Sequence, residues 1–392
     1  MGHNRAMLRM AVGQSDDVDG VEAVRAAIEQ CREQLGGEAP RAGLLFATFD
    51  SFEAALVREV REAFPGIRLI GSSSSAEMSS VVGYREDSVT LAVFVSDKVE
   101  FTTAAATWEP GGVEEACRRA VGEVLAATDR SPRLCLMVAD ALDGQLALEA
   151  VRAALPEGIV LVGGASSGVT LGAPTPSYQA WDDCVLEHGV ALLLLSGPLA
   201  FSVAVGTGLR PVGPTGVVTR SGYGRIDEID GRPATAFTAA YLDVAGPATF
   251  GNPLAISEVG ASMPYLRVLL AQDPATGSLS IAGSVPVGAT VQLTTATSDE
   301  IVAATADTVR RAMEAFPAGA TASGALVFSC AVRKFLLGSR TAQELGEAQS
   351  LLPDALPVAG MYCTGEIGPV GDAMATRFLN ETFVTVLLGA DD

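Results

Sequence analysis

The side chains of this 392-residue chain best suited to chemistry crowd toward its C-terminal end. Cys330 offers a thiol, and Arg333 and Lys334 follow it in FSCAVRKFLLG. Tyr362, Thr364 and Glu366 alternate along GMYCTGEIGP, and Arg377, Asn380 and Glu381 fall in RFLNETFVTVLL. Arginine can hold a carboxylate through two parallel hydrogen bonds, and glutamate can receive an ammonium group. Arg333 and Arg377 with Glu366 therefore suit a zwitterionic small molecule, such as an amino acid. Tyr362 would supply an aromatic wall, and Thr364, Asn380 and Glu381 further polar lining. An internal Arg–Glu pair holding the loops together is the competing explanation. Upstream, Ser73 and Ser74 within a run of four serines, and Ser166 beside Ser167, could present hydroxyls and amides to an anion at strand ends. Close packing of small-residue loops explains the same serines equally well.

A nucleophilic thiol needs a neighbouring base or cation, so Cys330 beside Arg333 and Lys334 opens the reading of a thiol-dependent enzyme. The chain has two histidines, His3 and His188, and no motif joins either to Cys330. The expectation is a protein that is not an enzyme. Cys31 and Cys117 fall on helical apolar stripes and read as core.

Composition narrows the partners. The net charge is −20 and the lysines are Lys98 and Lys334 alone, which excludes a nucleic-acid or anionic-membrane surface. Six cysteines without CxxC or zinc spacing read as free thiols, so no metal is expected. Gly206-Thr207-Gly208 is followed by Pro211 and Pro214, which forbid the helix a pyrophosphate would need. The chain shows no apolar run of bilayer-spanning length, and a cytoplasmic protein is expected.

The elements that must position these residues are strands and helices in alternation. Strand–helix–strand patterns recur three times, ending in Gly71 with four serines, in Gly163-Gly164-Ala165-Ser166-Ser167, and in Gly360. They predict repeated units in a mixed α/β fold, a two-part chain of mixed sheets covered by helices. Residues 1 to 18 read as a tail. Helix starts are expected at Asp19, Asp50, Thr297 and Thr341, where box-like spacings occur. Runs 88 to 95 and 99 to 106 read as a hairpin, and 325 to 338 as one strand. The boundaries drawn are 1–38 for a tail and first helix, 39–232 for an N-terminal domain and 233–392 for a C-terminal domain.

FSCAVRKFLLG, GMYCTGEIGP and FLNETFVTVLL, in this order, resemble the C-terminal signature of the FIST family. IRLIGSSSSAEMSS resembles that family's strand and small-residue loop, and residues 206 to 234 the join between its two parts. The resemblance implies a sensory module that binds a small ligand and signals to a separate protein, such as a histidine kinase or a cyclic-di-nucleotide enzyme. It also implies an alternative, because some members resemble haem-binding nitric-oxide sensors. His188 would then be the nitrogen ligand.

Overall fold

A computed structural model describes residues 8–168, 177–239, 251–260, 263–371 and 375–390. Three repeats of one plan account for most of it. The first runs β1 (Arg9–Ser15), α1 (Gly20–Leu35), β2 (Ala42–Thr48), α2 (Ala54–Ala63), β3 (Arg68–Ser74), β4 (Glu77–Ser79), β5 (Gly83–Arg85) and β6 (Val89–Val95). The second runs β7 (Glu100–Thr107), α3 (Val113–Ala126), β8 (Pro132–Ala139), α4 (Gly144–Ala154), β9 (Val160–Ala165), β10 (Tyr178–Trp181), β11 (Cys184–Glu187) and β12 (Gly189–Ser196).

The third opens with β13 (Leu199–Gly206) and then carries an inserted sheet. The insert comprises β14 (Arg210–Gly222), β15 (Arg225–Ile229), β16 (Arg232–Pro233), α5 (Ala234–Ala239), β17 (Leu254–Ser257), β18 (Tyr265–Arg267), β19 (Leu269–Asp273), β20 (Ser278–Ile281) and β21 (Thr290–Thr295). The repeat resumes with α6 (Ser298–Ala315), β22 (Thr321–Cys330), α7 (Ala331–Leu337), α8 (Thr341–Leu351), β23 (Val358–Cys363), β24 (Gly365–Val370), β25 (Ala375–Leu379) and β26 (Phe383–Ala390).

Each repeat builds a sheet whose central pair is parallel: β2 with β3, β8 with β9, β22 with β23. Each then gives its short hairpin away in a cycle. β4–β5 extends the third sheet beside β23, β10–β11 the first beside β3, and β24–β25 the second beside β9. One face of all three sheets meets in a common core that includes Phe46, Phe94, Leu136, Val138, Phe328 and Met361. The other face lies under α1 and α2, α3 and α4, or α6 and α8. Strands buried on both faces read as near-continuous apolar runs, as LLLL at 192 to 195 does.

The recurring glycines have a steric cause. A side chain at Gly71, Gly163 or Gly360 would strike the carbonyl oxygen of Leu45, Met137 or Val327 on the neighbouring parallel strand, at 2.6, 1.9 and 2.1 Å respectively.

Several local expectations are corrected. Residues 9 to 15 are strand β1, not tail: Met10 and Val12 face the common core, and Ala11 faces α1. The runs 88 to 95 and 99 to 106 do not pair with each other. β6 joins β1 and β2, whereas β7 begins the second repeat and joins β12. The strand expected over 325 to 338 stops at Cys330, and Arg333 sits on helix α7. Asp19 caps α1, and Thr297 with Glu300 forms a full capping box at α6. Asp50 and Thr341 are not caps: α2 follows Glu53 and α8 follows Arg340, neither with a side-chain cap. The Gly- and polar-rich stretch between Met361 and Phe383, a loop by its composition, holds the hairpin β24–β25. The sequence also reads as a helix over 235 to 242; α5 accounts for it up to Ala239, and the rest lies outside the described residues.

Candidate functional site

The three repeats converge at the ends of β3, β9 and β23, and there the expected serines lie. Backbone bonds close the ends into a ring. Ser75 N–H donates to Tyr362 O (2.9 Å), Ser167 N–H to Ser73 O (2.8 Å), and Thr364 N–H to Ala165 O (3.1 Å). Hydroxyls reinforce it: Ser72 to Ser166 Oγ (2.9 Å), Ser73 to Ser167 O (2.8 Å), and Thr364 to Ser166 O (2.8 Å). Lys334 Nζ donates to Ser75 O at 2.9 Å. Ser73, Ser166 and Thr364 are thus brought together with their hydrogen bonds spent around the ring, while Ser74 beside them turns its hydroxyl to Glu77.

Beneath the ring each repeat holds a buried polar knot at matching positions. Ser88, Gly189 and Thr382 donate their N–H groups to Glu77 (3.2 Å), Gln179 (3.1 Å) and Glu366 (3.1 Å). The residue before each has positive φ: Asp87 at 51°, His188 at 49° and Glu381 at 52°. Ser74, Ser166 and Cys363 bond to the same three side chains. Burial raises the carboxyl of Glu77 to about 7, against the hydroxyls of Ser74, Ser88 and Thr48. Burial likewise raises Glu366 to about 7, against Thr382 and the two thiols. Glu366 therefore serves its own repeat and is fully enclosed.

The other expected residues scatter. Arg333 and Glu344 form a wholly buried ion pair at 2.6 Å under the helices of the third repeat, and Tyr362 Oη and Ser329 Oγ donate to the same carboxylate, each at 2.7 Å. This is the internal Arg–Glu pair, with Glu344 as the partner in place of Glu366. Cys330 is 1 % exposed, and burial pushes its thiol well up, with Glu366 and Glu381 adding to the effect. It is therefore held as a thiol at neutral pH, which is not how a nucleophile is prepared. The Glu381 carboxyl is buried without a hydrogen-bond partner and pushed well up by that burial.

His188 occupies the turn position shared with Asp87 and Glu381. Its side chain is 61 % exposed and lies 3.6 Å from Asp140. The groove beside it is edged by Glu109, Glu114, Asp143, Glu149 and Glu187, with Arg118 paired to Glu114. Among the described residues these carboxylates oppose the propionates of a haem, so the surroundings of His188 do not fit that group.

Arg377 and Asn380 lead to a different place. β25 is the strand on which the inserted sheet is seated. Arg267 Nη1 donates to Phe378 O (3.0 Å), and Val268 N–H donates to Asn380 Oδ1 (3.4 Å). A cavity of about 400 Å³ opens there between α4, β25 and the insert. Arg377 pairs with Glu258 at 2.9 Å, and the guanidiniums of Arg377 and Arg267 lie 4.8 and 4.4 Å from the centre of the Tyr265 ring. Burial opposes ionisation of Glu258, but Arg377 and Tyr265 outweigh it and hold the carboxyl below its usual range.

Arg267 is the unusual group. It donates to Ser284 O, Leu266 O, Phe378 O and Gln145 Oε1, all neutral acceptors. Among the described residues it forms no ion pair, and burial lowers it to about 10. A buried cation held by neutral dipoles is the setting in which an anionic group gains most. Gln145, Glu149 and Arg152 from α4 complete the wall. Sequence reading missed Arg267, Tyr265 and Glu258. The available signal was an arginine inside the apolar run YLRVLL.

Among the described residues no helix is long and apolar enough to cross a membrane, and no three or more His, Cys, Asp or Glu side chains are grouped to hold a metal ion. Solved structures similar to the chain include the cyanuric acid hydrolase of A. caulinodans (TM-score 0.34, 12% identity, 98% of this chain and 99% of that one). A second cyanuric acid hydrolase gives a TM-score of 0.36 at 8% identity, with 98% and 100% coverage. The names of these neighbours are those of enzymes and stand against the expectation of a protein that is not an enzyme. At such TM-scores the likeness carries no argument for a particular reaction. Among sequences, uncharacterized proteins of Mycobacterium bovis and Mycobacterium tuberculosis (strain CDC 1551 / Oshkosh) are each 29% identical over 385 residues, 93% of this chain and 95% of theirs. The FIST N domain model matches residues 41–232 and the FIST C domain model residues 234–369, so the chain belongs to the FIST family of sensory domains.

Proposed function

We propose that this FIST protein senses a small zwitterionic ligand, of the amino-acid class, in the cavity between α4, β25 and the inserted sheet. The observation that carries the reading is Arg267, a buried guanidinium that faces a cavity without a carboxylate partner. A ligand carboxylate would offset that charge beside Arg377, and Glu149 or Glu258 would receive the ammonium group. The cavity volume falls in the usual range for small-ligand sites, roughly 300–1,000 Å³. The site joins the repeated core to the insert, so occupancy would change how firmly β25 holds the inserted sheet. That is a route for a signal to a separate partner.

A thermal-shift panel of amino acids and small mono- and dicarboxylates tests the reading. One compound should raise the melting temperature, and Arg377→Ala should reduce the rise at the same concentration. The proposal fails if no compound at millimolar concentration stabilises the protein, or if the rise is as large in Arg377→Ala.

A further inference from the structure

The second repeat differs from its companions on the outside of its helix pair. In the first repeat Arg25 of α1 pairs with Glu59 of α2 at 2.7 Å, and in the third Arg340 before α8 pairs with Asp299 of α6 at 2.7 Å. Among the described residues no ion pair joins α3 to α4. Between them lies an open groove of about 1560 Å³. Its floor is built of small residues, Gly122, Ala150, Ala153 and Ala154, over which another backbone can approach closely. Its edge carries two exposed leucines, Leu142 at 65% and Leu146 at 37%. Its rim is the set of five carboxylates described beside His188, with one arginine already paired.

We propose that this groove docks a cationic amphipathic helix of a partner protein. The apolar face would lie on the leucines and the small-residue floor, and lysines or arginines would meet the acidic rim. A second copy of this chain is a poor occupant, since each copy carries a charge of −20 and offers the same acidic rim. One further consequence rests on the proposed ligand site. α4 turns Gln145 and Arg152 to the ligand cavity and Leu146 and Ala153 to the groove, while Glu149 lines both. The helix is thus a shared wall between ligand and partner.

The test titrates the ligand-free protein with two peptides of about 18 residues and identical Leu, Ala and Lys content, at about 150 mM salt. One peptide is patterned as an amphipathic helix and the other is scrambled. The patterned peptide should bind about tenfold or more tighter, and Leu146→Lys with Ala153→Lys should remove that preference. Glu33→Lys with Glu62→Lys, on α1 and α2, removes more negative charge far from the groove and should leave the preference intact. Glu109→Lys with Glu187→Lys should weaken binding without touching the helices. Equal binding of the two peptides overturns the proposal, as does an equal loss in the α1/α2 variant. A dimer that the groove variant dissolves would make a second copy the occupant and also overturn it. Because no ligand is present, failure here leaves the thermal-shift result standing by itself.

Discussion

Two polar regions of this molecule contrast in what their side chains leave unmet. At the ring where β3, β9 and β23 end, hydroxyls, amides and carbonyls of three repeats are donated and accepted among themselves. In the cavity beside α4, Arg267 keeps a buried charge that only neutral dipoles contact. Both regions are rich in groups that bind ligands elsewhere. A satisfied network rigidifies a fold, whereas a buried charge without a directly bonded counter-charge leaves free energy for a ligand to recover. The first therefore reads as architecture, and the second is where the proposed ligand would bind.

The strongest way to sharpen this contrast is to break the buried pair that looked like a ligand clamp in sequence. Arg333→Ala strands Glu344 in the core and should destabilise by about 3–5 kcal/mol in denaturant unfolding, without a selective effect on ligand affinity. A variant of near-parental stability would show that the pair is not architectural.

The repeat knots offer the next effect, and Gln179 supplies the model for it. Burial raises Glu77 and Glu366 from 4.5 to about 7. The stability associated with their neutral forms is present below the unfolded value and is lost as pH rises through about 7. Glu77→Gln should therefore stabilise the protein above pH 7 by up to a few kcal/mol, on the order expected for such a shift, with the gain shrinking toward pH 5. Melting temperatures of both forms across that span decide it, and a gain that ignores pH would refute the buried-carboxylate account.

At the cavity, Arg377→Ala should weaken the stabilising compound about 10- to 100-fold by isothermal titration, the loss expected for a charged hydrogen bond, while Ser75→Ala at the ring leaves affinity within about twofold. The reverse ranking would exchange the roles of the two regions. The smallest effect is chemical: a thiol reagent at neutral pH should label the exposed Cys184 and spare the buried Cys330 and Cys363. Preferential labelling of Cys330, read by mass spectrometry, would reopen the thiol chemistry that its sequence neighbours suggested.

The sequence made the repeats visible because each parallel pair demands a glycine where the next strand's carbonyl approaches. It hid the strand β1, since a short run with Gly13 and Gln14 in it lacks the length of an obvious strand. It also suggested a hairpin over 88 to 106, because two adjacent strands normally pair. Here each repeat closes its own sheet, so the connection passes between sheets. Arg377 was read as a ligand residue beside Glu366; it lines a cavity, and the carboxylate it meets is Glu258, more than a hundred positions away.

Composition, periodicity and glycine spacing by themselves determined a mixed α/β chain of repeated units with a strongly acidic net charge. These are properties of local runs and total charge, and the linear order contains them. Which arginine meets a carboxylate, and which is left in a cavity with neutral dipoles, was decided only when the inserted sheet settled on β25. Ionisation and hydrogen-bond satisfaction depend on neighbours in space, and those neighbours come from segments that the chain order keeps far apart.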